Sequence, residues 1–370
     1  MNRKQTVSVN QMGFLMMIAG YGGIIFLHPD IITLSGRMAW IAEIFGGIAV
    51  IGLALWMLFL TKFYPGKTMF EILETLTGKL ISMFFGMLFL LILIITSALF
   101  LVQFTMMVKM FFLIVSPMLF PLSLSLITAL VIASKGLEPL ARSILILGVI
   151  LLIIFFSTMG LGFIHLFDSS NIFPVFDRDF HSLLSGFHLS AGLLSESLLL
   201  LTIMAAYLSS PTQKLMKMTA WFLLFLVLIP GAAVFALMGN ISPEESSRIL
   251  FVGINVAQAI SFGRFLQGLE VFLLFTYEII SVLRLGLCIN CGQVYCSQIF
   301  GHKPAKIIQV IITLAIFSLS LWVGSISQAN FYYTLMAKYV IPPFILTVLT
   351  LTSLGLWIKR RKERKKTRNQ

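Results

Sequence analysis

Apolar residues run along this chain in long stretches, each ended by a short break rich in charge, proline or glycine. Within a stretch, polar and apolar positions do not alternate, so the two-residue period of a membrane β-barrel is missing. A bilayer core about 30 Å thick takes about 20 apolar residues to cross as helix. Reading runs and breaks on that basis predicts ten helices, at about 12–33, 39–62, 80–115, 118–134, 141–164, 183–209, 216–239, 256–290, 307–326 and 331–358. The third and eighth are the longest and are expected to tilt or protrude.

The order of lengths repeats. Spans one to five run through a glycine-interrupted helix, an ordinary one, a very long one and two more, and spans six to ten do the same. Five is odd, so the second half must cross the membrane in the opposite sense. The expected fold is therefore an all-α integral membrane bundle of ten transmembrane helices in a five-plus-five inverted repeat. It forms one transmembrane domain over 1–358, with repeat one at about 12–164 and repeat two at about 183–358.

Composition agrees: 59% of the 370 residues are hydrophobic and 11% charged, with a mean hydropathy of +1.01. No soluble domain hides that much apolar surface. Of the 26 Lys and Arg, 19 fall at the N-terminus, in the even-numbered loops and in the tail. Only Arg37, Arg178 and Arg248 fall in the odd-numbered loops, which places both termini in the cytoplasm. The net charge of +12 is no nucleic-acid footprint, because residues 359–370 alone carry eight basic groups against Glu363. Directly after a span, that tail reads as a cytoplasmic anchor on the anionic lipid bilayer. The polar residues 1–11 enter a span with no small-x-small processing site, so no cleaved leader is expected. Cys288, Cys291 and Cys296, with His302, are read as reduced thiols and a lone imidazole rather than a metal site.

Candidate chemistry sits at mid-membrane. Gly20, Gly22 and Gly23 flank Tyr21 near the centre of span one, and span six carries Ser190, Gly192, Ser195 and Glu196 near its own. Irregular backbone at that depth is tolerated only beside protein or a wet cavity. Two opened helices would offer N–H and C=O groups to the ammonium and carboxylate of a small zwitterion, and that is the expectation here. Close helix packing by small residues is the alternative, one that also suits Gly46 and Gly47 of span two. Glu196, a mid-membrane carboxylate, is the leading site residue. It would face a ligand amine, carry a proton, or pair with Arg264, Arg284 or Lys338. Thr96, Phe100 and Gln103 share one face of span three and are expected to line the site. Glu270, Glu278 and Arg284, on the long eighth helix, are intramembrane charges with a possible coupling role. His28, His165, His181, His188 and His302 read as scattered, wetted residues. With no phosphate-cradling glycine loop, HExxH or nucleophile elbow, neither enzymatic activity nor a cofactor is expected.

Several segments resemble a known family. "FYPGKTMFEILETLTGKLI" (63–81) resembles its Tyr-Pro-Gly-Lys-Thr segment, with Glu71 and the Gly78-Lys79 pair following. Residues 29–41, with Arg37, Ala39 and Trp40, resemble its first hairpin; "NIFPVF" (171–176) and "YLSSP" (207–211) resemble the entry to and exit from its sixth span. These features are similar to the spore-germination permeases, the B-type membrane subunits of nutrient germinant receptors in endospore-forming bacteria. The resemblance covers almost the whole chain. It implies a LeuT-like fold within the amino acid–polyamine–organocation superfamily, and a home in the spore inner membrane. It also implies a small nutrient ligand, an amino acid, and two partners, a larger A-type membrane subunit and a C-type lipoprotein. Many members carry Pro-Phe-Gly-Glu in span six, where this chain has Leu193-Leu194-Ser195-Glu196. The carboxylate is kept and the residues shaping the break are not. Three roles remain open on the sequence: a nutrient sensor, a proton- or cation-coupled amino acid transporter, and a water or ion conduit opened during germination.

Overall fold

The computed structural model describes residues 6–208, 215–260, 268–300 and 304–368. Each predicted span overlaps a helix. The helices are α1 (Val9–Ser35), α2 (Ala39–Thr61), α3 (Met69–Thr77), α4 (Lys79–Phe111), α5 (Leu119–Ala133) and α6 (Leu137–His165). There follow α7 (Phe180–Leu194), α8 (Glu196–Met204), α9 (Leu215–Leu223), α10 (Ile229–Asn240), α11 (Pro243–Ser246) and α12 (Val252–Ala259). The chain closes with α13 (Leu269–Phe300), α14 (Ala305–Val323), α15 (Ile326–Leu335) and α16 (Ile341–Arg368). Among the described residues, eight helical stretches are long and apolar enough to cross a membrane, and Leu119–Ala133 is apolar but shorter.

Helix starts follow local chemistry. Ser8 and Gln11 form a capping box at α1, the Ser8 N–H donating to Gln11 Oε1 at 2.8 Å and the Gln11 N–H to Ser8 Oγ at 3.3 Å. Thr68 and Glu71 repeat the device at α3. This Thr-x-x-Glu signal was available in the sequence for a helix that hydropathy alone does not reveal. Asp179 caps α7 by accepting from the Ser182 N–H at 3.1 Å.

Two π-helical turns, Leu224–Leu228 between α9 and α10 and Met336–Val340 between α15 and α16, widen the backbone. Each is met by a glycine of another helix. A Cβ on Gly47 would lie 1.9 Å from the Leu226 carbonyl oxygen, and one on Gly192 the same distance from that of Ala337. Gly46 likewise brings α2 onto α7, where a Cβ would sit 2.5 Å from Ser190 Oγ. These glycines are what let the backbones touch.

That observation corrects the reading of span one. α1 runs unbroken from Val9 to Ser35, through Gly20 to Gly23, with no opened turn. Gly20 serves packing: a Cβ there would be 3.1 Å from Leu226 Cδ2 and 3.6 Å from Ser197 Cβ. Span six is interrupted only at Ser195, which leaves α7 with ψ −16° and joins α8 through a tightened turn, Leu198 N–H to Ser195 O at 2.9 Å. Gly192 is not the flexible point; it lies inside α7. The eighth span also shifts. Its predicted start falls in α12, while α13 begins after Gly268, whose φ of +81° favours glycine, and extends to Phe300. The far end hid behind polar residues that the helix satisfies, Asn290 Nδ2 donating to Gly286 O at 3.2 Å and Gln293 Nε2 to Ser297 Oγ at 2.9 Å. α16 continues without a break past 358 to Arg368, so the tail is the end of a helix.

Candidate functional site

Four helices bring a charged cluster together inside the bundle. Glu196 is the first residue of α8, where the N-terminal partial charge of the helix favours a carboxylate. It forms an ion pair with Arg284 of α13. The Tyr333 hydroxyl of α15 accepts from Arg284 Nη2 at 2.9 Å and donates to Glu196 Oε2. From α4, the Phe100 ring lies flush beneath the guanidinium, its centroid 4.0 Å from Arg284 Cζ. Arg284 still has capacity. Its Nε and Nη1 are buried with no hydrogen-bond partner, as is the Ser281 hydroxyl one turn earlier on the same face of α13.

A second polar group lies between α1, α2 and α7. His28 Nδ1 is 3.2 Å from Glu43 Oε1, and Ser190 Oγ donates to Glu43 Oε2 at 2.5 Å. All three are buried. His28 and Tyr21 also line a cavity bounded by α1, α6, α10, α12 and α13, with about 660 Å³ of atom-free space, part of it open to its surroundings. Phe26 divides the two regions, its ring centroid 5.7 Å from that of Phe100 and 6.4 Å from that of Tyr277 in the cavity wall.

The structure therefore sorts the expected site residues. Phe100, Glu196 and Arg284 come together. Ser190 instead serves Glu43, and Gln103 Nε2 donates to Asn330 Oδ1 at 2.8 Å. The Thr96 and Ser195 hydroxyls are turned back on their own helices, to Leu93 O and Ala191 O. Tyr21 faces the cavity; Gly20 is a packing residue, and Gly22 and Gly23 lie within continuous α1 backbone. Glu278 accepts from Ser125 of α5 at 3.4 Å, and half-buried Glu270 starts α13. Arg264 and His302 lie outside the described residues, while Cys288, Cys291 and Cys296 are free, buried thiols. Glu43, His28 and Tyr333 are the residues that sequence reasoning missed. An intramembrane carboxylate at 43 was the available signal.

The fold has a solved counterpart in MhsT, whose crystal structure is a complex with L-phenylalanine. The two superpose with a TM-score of 0.56 over 95% of this chain and 100% of that one, at 18% identity. Spore germination protein KB of Bacillus subtilis (strain 168) is 24% identical over 372 residues, covering 98% of each chain. The family model described as spore germination protein matches residues 6–329. The chain belongs to the spore germination protein family. It is a multi-pass membrane protein of an endospore-forming bacterium with a LeuT-like helical fold.

The segments that resemble other spore germination proteins do structural work here. Arg37 holds the loop before α7: its N–H donates to the Asp177 carboxylate at 3.2 Å and its Nη1 to Phe173 O at 2.5 Å. Arg178 Nη1 returns a bond to Thr33 O at 2.6 Å. At the other end, Lys67 and Lys359 both lie over the Tyr64 ring, at 5.7 and 5.4 Å, so the Tyr-Pro-Gly-Lys-Thr turn meets the basic end of α16.

Proposed function

We propose that this protein is the nutrient-sensing membrane subunit of a germinant receptor, built as ten transmembrane helices in a five-plus-five inverted repeat with both termini in the cytoplasm. It resides in the spore inner membrane beside an A-type membrane subunit and a C-type lipoprotein. Its ligand is a small amino acid bound at Glu196 and Arg284, and the Tyr333 hydroxyl, bonded to both, holds the closed arrangement.

The observation that carries this reading is the incomplete engagement of Arg284, with Nε and Nη1 buried and unpartnered while Nη2 holds Glu196 and Tyr333. Removing one partner of a buried ion pair costs about 3–5 kcal/mol. A zwitterion avoids that cost, because its carboxylate takes the free edge of Arg284 as its ammonium takes Glu196. Both buried charges stay paired throughout the exchange. The turn at Ser195 and the π turn after α15 are the points where the helices bearing Glu196 and Tyr333 give way. Ligand affinity must then differ between the closed and opened arrangements, by about 5.5 kcal/mol for a near-complete switch. Spores carrying Glu196→Gln should need a much higher nutrient concentration to germinate; an unchanged dose–response removes the site.

The likeness to MhsT favours a second reading, an amino acid transporter. Uptake of labelled amino acid by the purified chain alone in liposomes would establish it. The sensor reading expects none without the partner subunits.

A further inference from the structure

The cavity beside α1 differs in chemistry from the ion-pair cluster. Its lining is apolar, from Ile25, Leu151, Phe155, Ala233 and their neighbours, with no Lys, Arg, Asp or Glu in the wall. A charged guest would leave water with no counter-charge waiting, which burial penalises heavily. The one ionisable side chain able to take up a positive charge there, His28, already faces Glu43. Three polar atoms of the wall remain for a guest, one of them the Tyr277 hydroxyl. The Tyr21 hydroxyl is buried without a hydrogen-bond partner, and with Nδ1 of His28 held by Glu43, Nε2 is left for the cavity. An apolar wall with a few convergent polar atoms is the usual form of a small-molecule site.

We infer that this cavity is a second ligand site, which takes an uncharged, mainly apolar molecule with a single hydrogen-bonding head. The head meets Tyr21 and His28, and the body lies against α6 and α10. Phe26 separates it from the cluster at Glu196, so the two sites are filled by molecules of different class.

The test is direct binding to the purified full chain in lipid nanodiscs, read by fluorine NMR line broadening with 4-fluorobenzyl alcohol as probe. Saturable broadening that unlabelled benzyl alcohol reverses is expected, on top of non-saturable partition into lipid. Ala233→Phe fills the cavity and should abolish the saturable part. Tyr21→Phe keeps the ring and the packing, removes only the hydroxyl, and should weaken binding about two- to tenfold, as one hydrogen bond implies. The charged analogues 4-fluorobenzoate and 4-fluorobenzylammonium should show no saturable signal. Partition alone in the unmodified protein, wild-type affinity in both variants, or equal binding of the charged analogues would each overturn the assignment.

Discussion

Glu196 and Arg284 pair across the middle of the bundle with side chains only 3% and 1% exposed, and Tyr333 is hydrogen-bonded to both. Neutralising either ion alone strands the other in a low-dielectric interior, at about 3–5 kcal/mol. Arg284→Met should therefore sharply lower the thermal midpoint of the purified protein. The double variant Glu196→Leu with Arg284→Met should recover most of that loss, since buried ion pairs are replaceable by apolar pairs. Nutrient response should stay absent in both. A double variant as unstable as the single one would mean that the pair contributes more than mutual neutralisation.

Tyr333→Phe separates locking from binding. Losing a hydrogen bond to charged groups costs about 1.5–3 kcal/mol. If that bond holds the closed arrangement, half-maximal germination should move to lower nutrient concentration. Movement to higher concentration would place the hydroxyl on the ligand instead.

The glycines divide by what they touch. Gly47→Ala and Gly192→Ala drive a methyl into backbone carbonyl oxygens, at 1.9 Å from Leu226 O and Ala337 O. They should destabilise the protein or prevent accumulation. Gly20→Ala meets the flexible tip of Leu226 at 3.1 Å and gains helix propensity, about 1 kcal/mol at most. Its thermal midpoint should stay close to that of the parent, and a large loss would restore a special backbone role for Gly20.

Arg37 and Asp177 tie the loop before α7 to the first hairpin. In that loop Phe173 and Phe176 are 60% and 77% exposed. Asp177→Ala should speed chymotryptic cleavage there severalfold in the purified protein. An unchanged rate would show that Arg37 Nη1 on Phe173 O suffices.

Much of the helical architecture is legible along the chain because hydrophobic length is a one-dimensional quantity. Pairings between distant helices are not. Glu196 announces itself as a carboxylate deep in an apolar run, yet Tyr333 resembles any interfacial aromatic until α15 is seen against α13. His28 looked like a stray imidazole because Glu43, its partner, lies on the next helix. The glycines of span one show the converse limit. The same small residue lets a helix open or lets a neighbour approach, and only the position of Leu226 chooses between them. Thr68 and Glu71 were readable as a cap, but hydropathy is silent about a nine-residue helix too short to span, even though its Met69, Phe70 and Ile72 pack into the core.

The last helix of the chain has a mechanical consequence. Beyond the wide turn at Met336–Val340, α16 is one stiff helix of 28 residues, roughly 42 Å long. Tyr333 sits on the short side of that turn and the basic end on the long side, like the two arms of a lever. A pivot of about 5° at the turn would sweep the far tip through about 4 Å. A displacement of atomic size beside Arg284 would thus reach the basic end of α16 as a motion large enough for a neighbouring protein to register.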